Sequence, residues 1–300
     1  VASGWAEVSP GIDRDNRRLN DIIPLIRCAD GRPYIPGSSI KGALRTAIEH
    51  HLLTSDGAGS VNPNAFTGRI DNKIKNKSSE ELAGLSQEME QTLLHRLILS
   101  DERNNQVPAK EAVTSVMKGI RVSDAFCTST KPLSTCLLRK IDWVAWTRNE
   151  GKENRIALVR ECFVPGTTFG FTLTIEPAIT RAIGLTSAAS LLDVARKHSA
   201  HLLGLLKSAF GPQQPSVFSR RTAETSLFLG GGSGFLDKTL TYSLAAAAEA
   251  RKITAKLLDL SFAKHRHVER DSLIAPRTLK LGVYRNERLL MGACKLEQKP

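Results

Sequence analysis

Two stretches of this chain hold residues whose types and spacing suit the capture of a phosphate. The first is Pro36-Gly37-Ser38-Ser39-Ile40-Lys41-Gly42-Ala43-Leu44-Arg45. From Ser38, the residues Ile40, Ala43, Leu44, Ala47, Ile48 and Leu52 recur at i, i+3, i+4, i+7, i+8 and i+12, which predicts a helix with one apolar face. The Ser38-Ser39 pair supplies N-cap chemistry. A helix start offers unpaired N–H groups and a partial positive charge, so an anion sits there readily. Lys41 and Arg45, four apart, share a face away from the apolar stripe. Gly42, unfavourable by about 1 kcal/mol inside a helix, fits a place where another backbone approaches closely. The competing reading is an ordinary capped helix with solvated basic residues.

The second stretch is Gly230-Gly231-Gly232-Ser233-Gly234, followed by Lys238. Its glycines admit φ > 0 and let a polymer backbone lie against the main chain, and Lys238 adds charge. The spacing fits neither GxxxxGK[ST] nor GxGxxG. A flexible hinge explains the glycines almost as well.

Constellations for covalent or metal chemistry are poor. The seven histidines, His50, His51, His95, His198, His201, His265 and His267, make no HExxH, and Lys264-His265-Arg266-His267 reads as a basic patch. Cys28, Cys127, Cys136, Cys162 and Cys294 include no CxxC, so no zinc or redox centre is expected and a reducing cytoplasm fits best. Lys and Arg number 42 against 30 Asp and Glu, a net charge of +12, which favours a polyanionic partner, nucleic acid first. No apolar run approaches the roughly 18 residues of a bilayer span, so no membrane partner is expected.

The elements that position these residues read as α+β, with antiparallel sheets covered by helices. The opening to about Asn20 reads as loop or arm, and Ile22 to Ile26 as a short strand. Residues 55–80, with Arg69, Lys73, Lys75 and Lys77, read as an exposed insertion, and Glu80 to Leu99 as an amphipathic helix. Strands are expected at Ile120 to Phe126 and Ile156 to Phe163. Alternation from Thr168 to Ile175 predicts a half-buried strand in a hairpin. Helices follow near Ser187 to Phe210 and Leu240 to Lys264, and a strand pair, Thr278 to Tyr284 and Leu289 to Lys295, ends the chain. The division expected is 1–180 and 181–300.

Several blocks resemble a known family. Pro33 to Thr46 is similar to the signature of RAMP subunits (repeat-associated mysterious proteins) of Csm-type, type III-A CRISPR effector complexes. Arg121-Val122-Ser123-Asp124, Arg160-Glu161-Cys162 with Pro165-Gly166-Thr167-Thr168, and Gly232 to Thr239 with Pro276-Arg277-Thr278-Leu279-Lys280-Leu281 follow in order. Together they resemble most the fifth Csm subunit. The resemblance runs from about Leu19 to Lys295, and the family's first strand is missing at the start.

That resemblance implies RRM-like (ferredoxin-like) modules, no cofactor, and a non-catalytic subunit that caps the 3′ side of the guide RNA (crRNA). Its expected partners are the guide, target RNA, the adjacent backbone subunit and the small helical subunit. The RNA-binding residues expected are Gly37, Ser38, Ser39, Lys41, Gly42, Arg45, Gly230, Gly231, Gly232, Ser233, Gly234 and Lys238. A protruding thumb hairpin is expected between Cys127 and Asn154, with Leu137, Leu138 and Trp143 as a wedge against bases. The alternative is a RAMP endoribonuclease that processes guide or cleaves target RNA. His50-His51 are its nearest acid–base candidates, and Asp21, sixteen positions before Gly37, stands where a target-cleaving backbone subunit carries a loop aspartate.

Overall fold

The computed structural model describes residues 6–8, 21–75, 79–129 and 133–299. Six strands form one mixed sheet: β1 (Ala6–Val8), β2 (Asp21–Ile23), β3 (Thr135–Ala145), β4 (Gly151–Phe163), β5 (Thr278–Tyr284) and β6 (Glu287–Leu290). Their order is β6-β5-β3-β4-β2. β1 runs parallel to the first residues of β3, and β5 antiparallel to its later ones, so one strand receives partners from both ends of the chain. The opening stretch, expected as loop, thus contributes a strand.

Five helices of substantial length accompany the sheet: α1 (Gly37–Thr54), α2 (Asn64–Lys75), α3 (Ser79–Leu94), α4 (Ala188–Phe210) and α5 (Ala247–Phe262). The stripe expected on α1 is its buried face: Ile40, Leu44, Ala47, Ile48 and Leu52 are all at most 2% exposed. Each large aliphatic side chain so buried stabilises the fold by roughly 1.5–3 kcal/mol. α4 begins at the capping box of Ser187 with Ser190. The helical stretch Pro177–Phe210 has the length and apolarity of a membrane span, yet Leu191, Val194, Ala195 and Leu202 are buried in the protein's own core.

Several expectations need correction. The 55–80 stretch holds α2, because Phe66 and Ile70, one turn apart, plug into the core that α1 lines, and Ile74, one turn further, packs against it. Lys77 lies outside the described residues. The Phe169–Ile175 alternation is split between two short ladders, 169–170 with 126–127 and 173–175 with 120–122. α5 starts at Ala247, seven residues after the expected Leu240.

The thumb expectation for 127–154 also changes. Thr135–Ala145 is an interior strand of the sheet, Leu138 is buried with Cys136 and Tyr284, and Trp143 donates its indole N–H to Gln213 Oε1 at 2.6 Å. A strand bonded along both edges cannot serve as a free wedge. Residues 130–132 lie outside the described residues.

Three histidines meet where α1, α4 and the 241–243 turn join. The His50 ring lies 4.9 Å from that of His198 and 4.8 Å from that of His201. His50 Nδ1 shares a 2.8 Å hydrogen bond with Ser243 Oγ. Burial, then the neighbouring His198, His201 and His51, pushes His50 down to about 3, so the folded protein holds it neutral. An unfolded chain protonates this ring near its ordinary 6.5. Its stabilisation is therefore full above pH 6.5 and fades by ~3 kcal/mol on acidification toward pH 4. His50→Asn retains a polar group near Ser243 and removes this titration. Its stability deficit against wild type, measured by urea unfolding, should shrink steadily from pH 7 to pH 4.5; a deficit independent of pH would contradict a neutral buried ring.

Candidate nucleic-acid interface

α1 does not start as the sequence suggests. Pro36, not Ser38 or Ser39, is the N-cap, and no side chain of its own caps the helix. The first N–H, that of Gly37, donates to Asp124 Oδ1 at 2.7 Å. A carboxylate from a distant segment therefore already sits on the positive end of the helix. Gly37 is demanded by packing: a Cβ there would lie 2.5 Å from the Val122 carbonyl oxygen. Ser38 and Ser39 remain exposed. Lys41 is half-buried, and that burial pushes its amine below the ordinary value. Arg45 reaches across to Glu90 on α3 at 3.0 Å. Gly42 has no atom of this chain within 4 Å of a Cβ position, so no other segment of the chain packs closely on it.

The glycine loop folds on itself. Gly230 at φ +89° and Gly234 at φ +133° occupy backbone conformations that side chains resist. Ser233 Oγ donates to Asp237 Oδ2 at 2.6 Å, while Lys238 Nζ donates to Asp237 Oδ2 at 2.9 Å and to the Gly234 carbonyl at 3.2 Å. Lys238 thus clasps its own loop. Gly230 and Gly231 are exposed, whereas Gly232 is buried, and a Cβ there would meet Met291 Cε at 2.7 Å. Gly232 serves internal packing.

The Leu236–Lys238 turn that closes the loop packs against α1. The fold also sets the loop over cations that sequence reasoning missed as site residues. A Cβ on Gly231 would come within 3.2 Å of Arg160 Nη1, and one on Gly234 within 3.5 Å of Lys280 Cγ. Arg160 on β4 and Lys280 on β5 flank β3 from opposite sides, and both fall inside the sequence blocks that carry the family resemblance. Lys140 joins them where the β3–β4 register shifts, Arg139 facing Val159 but Ile141 facing Arg155. Such an irregularity re-aims a side chain, which alternation alone does not reveal.

The residues offered for cleavage are placed unfavourably. His50 is 6% exposed and engaged with Ser243, so it cannot meet a substrate. Asp21 is exposed, but it opens strand β2 opposite Leu158 instead of lying in a loop. Among the described residues, no group of three or more His, Cys, Asp or Glu is arranged to hold a metal ion.

The RAMP superfamily model matches residues 11–236, most of the chain. The chain belongs to the RAMP superfamily. Within it, this RAMP protein is similar to the CRISPR system Cms protein Csm5 of Mycobacterium tuberculosis (strain CDC 1551 / Oshkosh), 26% identical over 94% of this chain and 68% of the relative. It is likewise similar to Csm5 of Streptococcus thermophilus, 26% identical over 79% of this chain and 56% of that protein. The chain thus spans roughly half to two thirds of these relatives' lengths. Its fold resembles a chain in the cryo-EM structure of a Csm–crRNA–target RNA ternary complex of a type III-A CRISPR-Cas system. That match has a TM-score of 0.53 and 17% identity, and covers 93% of this chain and 76% of the other.

The Gly37–Asp124 junction gives a direct test. Asp124→Ala should lower stability by about 1 kcal/mol through the lost cap. Gly37→Ala should cost about 2 kcal/mol or more, because backbone must move. Thermal melts of both variants check the order, and an innocuous Gly37→Ala would contradict the packing.

Proposed function

We propose that this RAMP protein is a non-catalytic, crRNA-binding subunit of a type III-A Csm effector complex, capping the 3′ side of the guide RNA and protecting it in antiviral defence. The observation that carries this reading is similarity to Csm5 proteins along nearly the whole chain. RRM-like modules, a cytoplasmic location, and contacts with guide RNA, target RNA, the adjacent backbone RAMP subunit and the small helical subunit belong to the same proposal.

The chemistry of the chain supports it. A net charge of +12 drives association with polyanions through counterion release. Lys41, the exposed Ser38 and Ser39, and the exposed backbone of Gly230 and Gly231 offer contacts to phosphate and sugar, which position RNA without reading its sequence. Arg45 takes part only by exchanging Glu90 for phosphate. Gly37, Gly42, Gly232, Gly234, Ser233 and Lys238 act through the backbone shape of the two segments.

Binding of single-stranded RNA by the purified chain, followed against salt, tests this function. Lys41→Ala should reduce the slope of log affinity against log salt by about 0.7. Glu90→Gln should tighten binding by freeing Arg45, and the RNA should emerge intact. Failure to bind RNA above a scrambled-charge control would sink the function, and a discrete cleavage product would favour the endoribonuclease alternative.

A further inference from the structure

The sheet face beneath the glycine loop concentrates positive charge that the fold itself leaves poorly compensated. Lys280 stands directly across from Asp142 in the β5–β3 register, and its Nζ lies 2.8 Å from Asp142 Oδ2. Lys140 Nζ is 3.8 Å from the other carboxylate oxygen, beyond hydrogen-bond reach, and Asp142 Oδ1 is buried without a partner. Arg160 enters from β4, and its Nε is also buried without a partner. The lysine side chains are only 18% and 16% exposed. Lys238 and Asp237 close on one another, while Lys140 and Lys280 share the carboxylate of Asp142 and Arg160 lies near enough to act on Lys140. Burial, then Lys280, depresses the Lys140 amine; Asp142 opposes this and Arg160 reinforces it. Gathering cations out of water is unfavourable unless an anion joins them.

We propose that Lys140, Arg160 and Lys280 form a phosphate-binding subsite on the sheet face under the Gly230–Gly234 loop. The excess of two positive charges over Asp142 matches a phosphate dianion and exceeds the single charge of a phosphodiester. Arg160 supplies the planar, forked donor suited to phosphate oxygens, and the lysines supply point charges. Gly231 and Gly232 pass close to Arg160 and Gly234 close to Lys280, and a side chain at Gly231 would press on the guanidinium. The subsite deepens the RNA-binding function and rests on it where the phosphate belongs to RNA. A free phosphate has the same chemistry.

The test uses the full chain and Lys140→Met, which removes a cation without breaking the Lys280–Asp142 pair. Inorganic phosphate, compared with chloride at equal ionic strength, should raise the wild-type melting midpoint by about 2–4 °C. Lys140→Met should lose that increment while melting no lower than wild type in chloride, because it relieves like-charge repulsion. A merely structural Lys140 would give a lower midpoint and an unchanged increment. Arg160→Met, read by its phosphate increment, provides a second variant. No phosphate-specific rise in wild type, or a full rise in Lys140→Met, overturns the subsite.

Paired RNA oligomers with and without a terminal phosphate separate the sources. A preference of about tenfold for the phosphorylated end, abolished by Lys140→Met, assigns the site to an RNA terminus. No end preference but a salt slope lower by about 0.7 in the variant assigns it to a backbone phosphodiester. A phosphate increment in a chain that binds no RNA leaves the subsite standing with free phosphate as its ligand, and removes the RNA-binding function instead.

Discussion

Backbone hydrogen bonding along the β3–β4 hairpin holds this molecule together. β3 carries β4 on one edge, with β1 and then β5 dividing the other, while β4 takes β2 on its far edge. Buried N–H and C=O groups must be paired, so these edges recruit segments separated by more than two hundred residues of sequence. Once the edges are filled, the side chains are sorted to two faces. Ile141, Leu279 and Leu281 turn toward the core that contains Leu202 and Phe210 of α4. Lys140, Asp142, Arg160 and Lys280 gather beneath the glycine loop.

Charge is handled differently at the two segments that suit phosphate. At the start of α1, Asp124 already satisfies the Gly37 N–H, and Arg45 is drawn off by Glu90. The Arg45–Glu90 pair is exposed enough to be exchanged for an incoming anion at small free-energy cost, whereas the Gly37 N–H is buried against Asp124. Under the loop, the cations are more enclosed, their one carboxylate is incompletely satisfied, and the Arg160 Nε has no partner. Exposed pairs are weak and exchangeable, whereas half-buried unpaired charge is a persistent source of binding energy. The histidine cluster follows the same physics with the opposite outcome, shedding its protons so that the rings pack as neutral groups.

The sequence by itself determined the family, the α1 and α4 helices and the strand Thr278–Tyr284, whereas the expected Leu289 to Lys295 strand divides, Glu287–Leu290 pairing with β5 and Ala293–Cys294 with Leu227–Phe228. The features legible in this way are local: an apolar stripe of period 3.6 in Ile40 to Leu52, a Ser187 cap and glycines at fixed offsets all act within a few residues. Phe66, Ile70 and Ile74 were legible in principle as one face of a helix, but three apolar residues in text rich in Asn, Gly and Lys are easily read as loop. Only the tertiary structure decided that Asp124 caps α1, that β3 is interior instead of a thumb, that Gly232 packs on Met291, and that Lys140 joins Arg160 and Lys280. Each of these depends on strand register and on contacts between distant segments, and a side chain's face reverses with every residue of register shift. Sequence periodicity fixes which residues can share a face; pairing across the sheet fixes which faces meet.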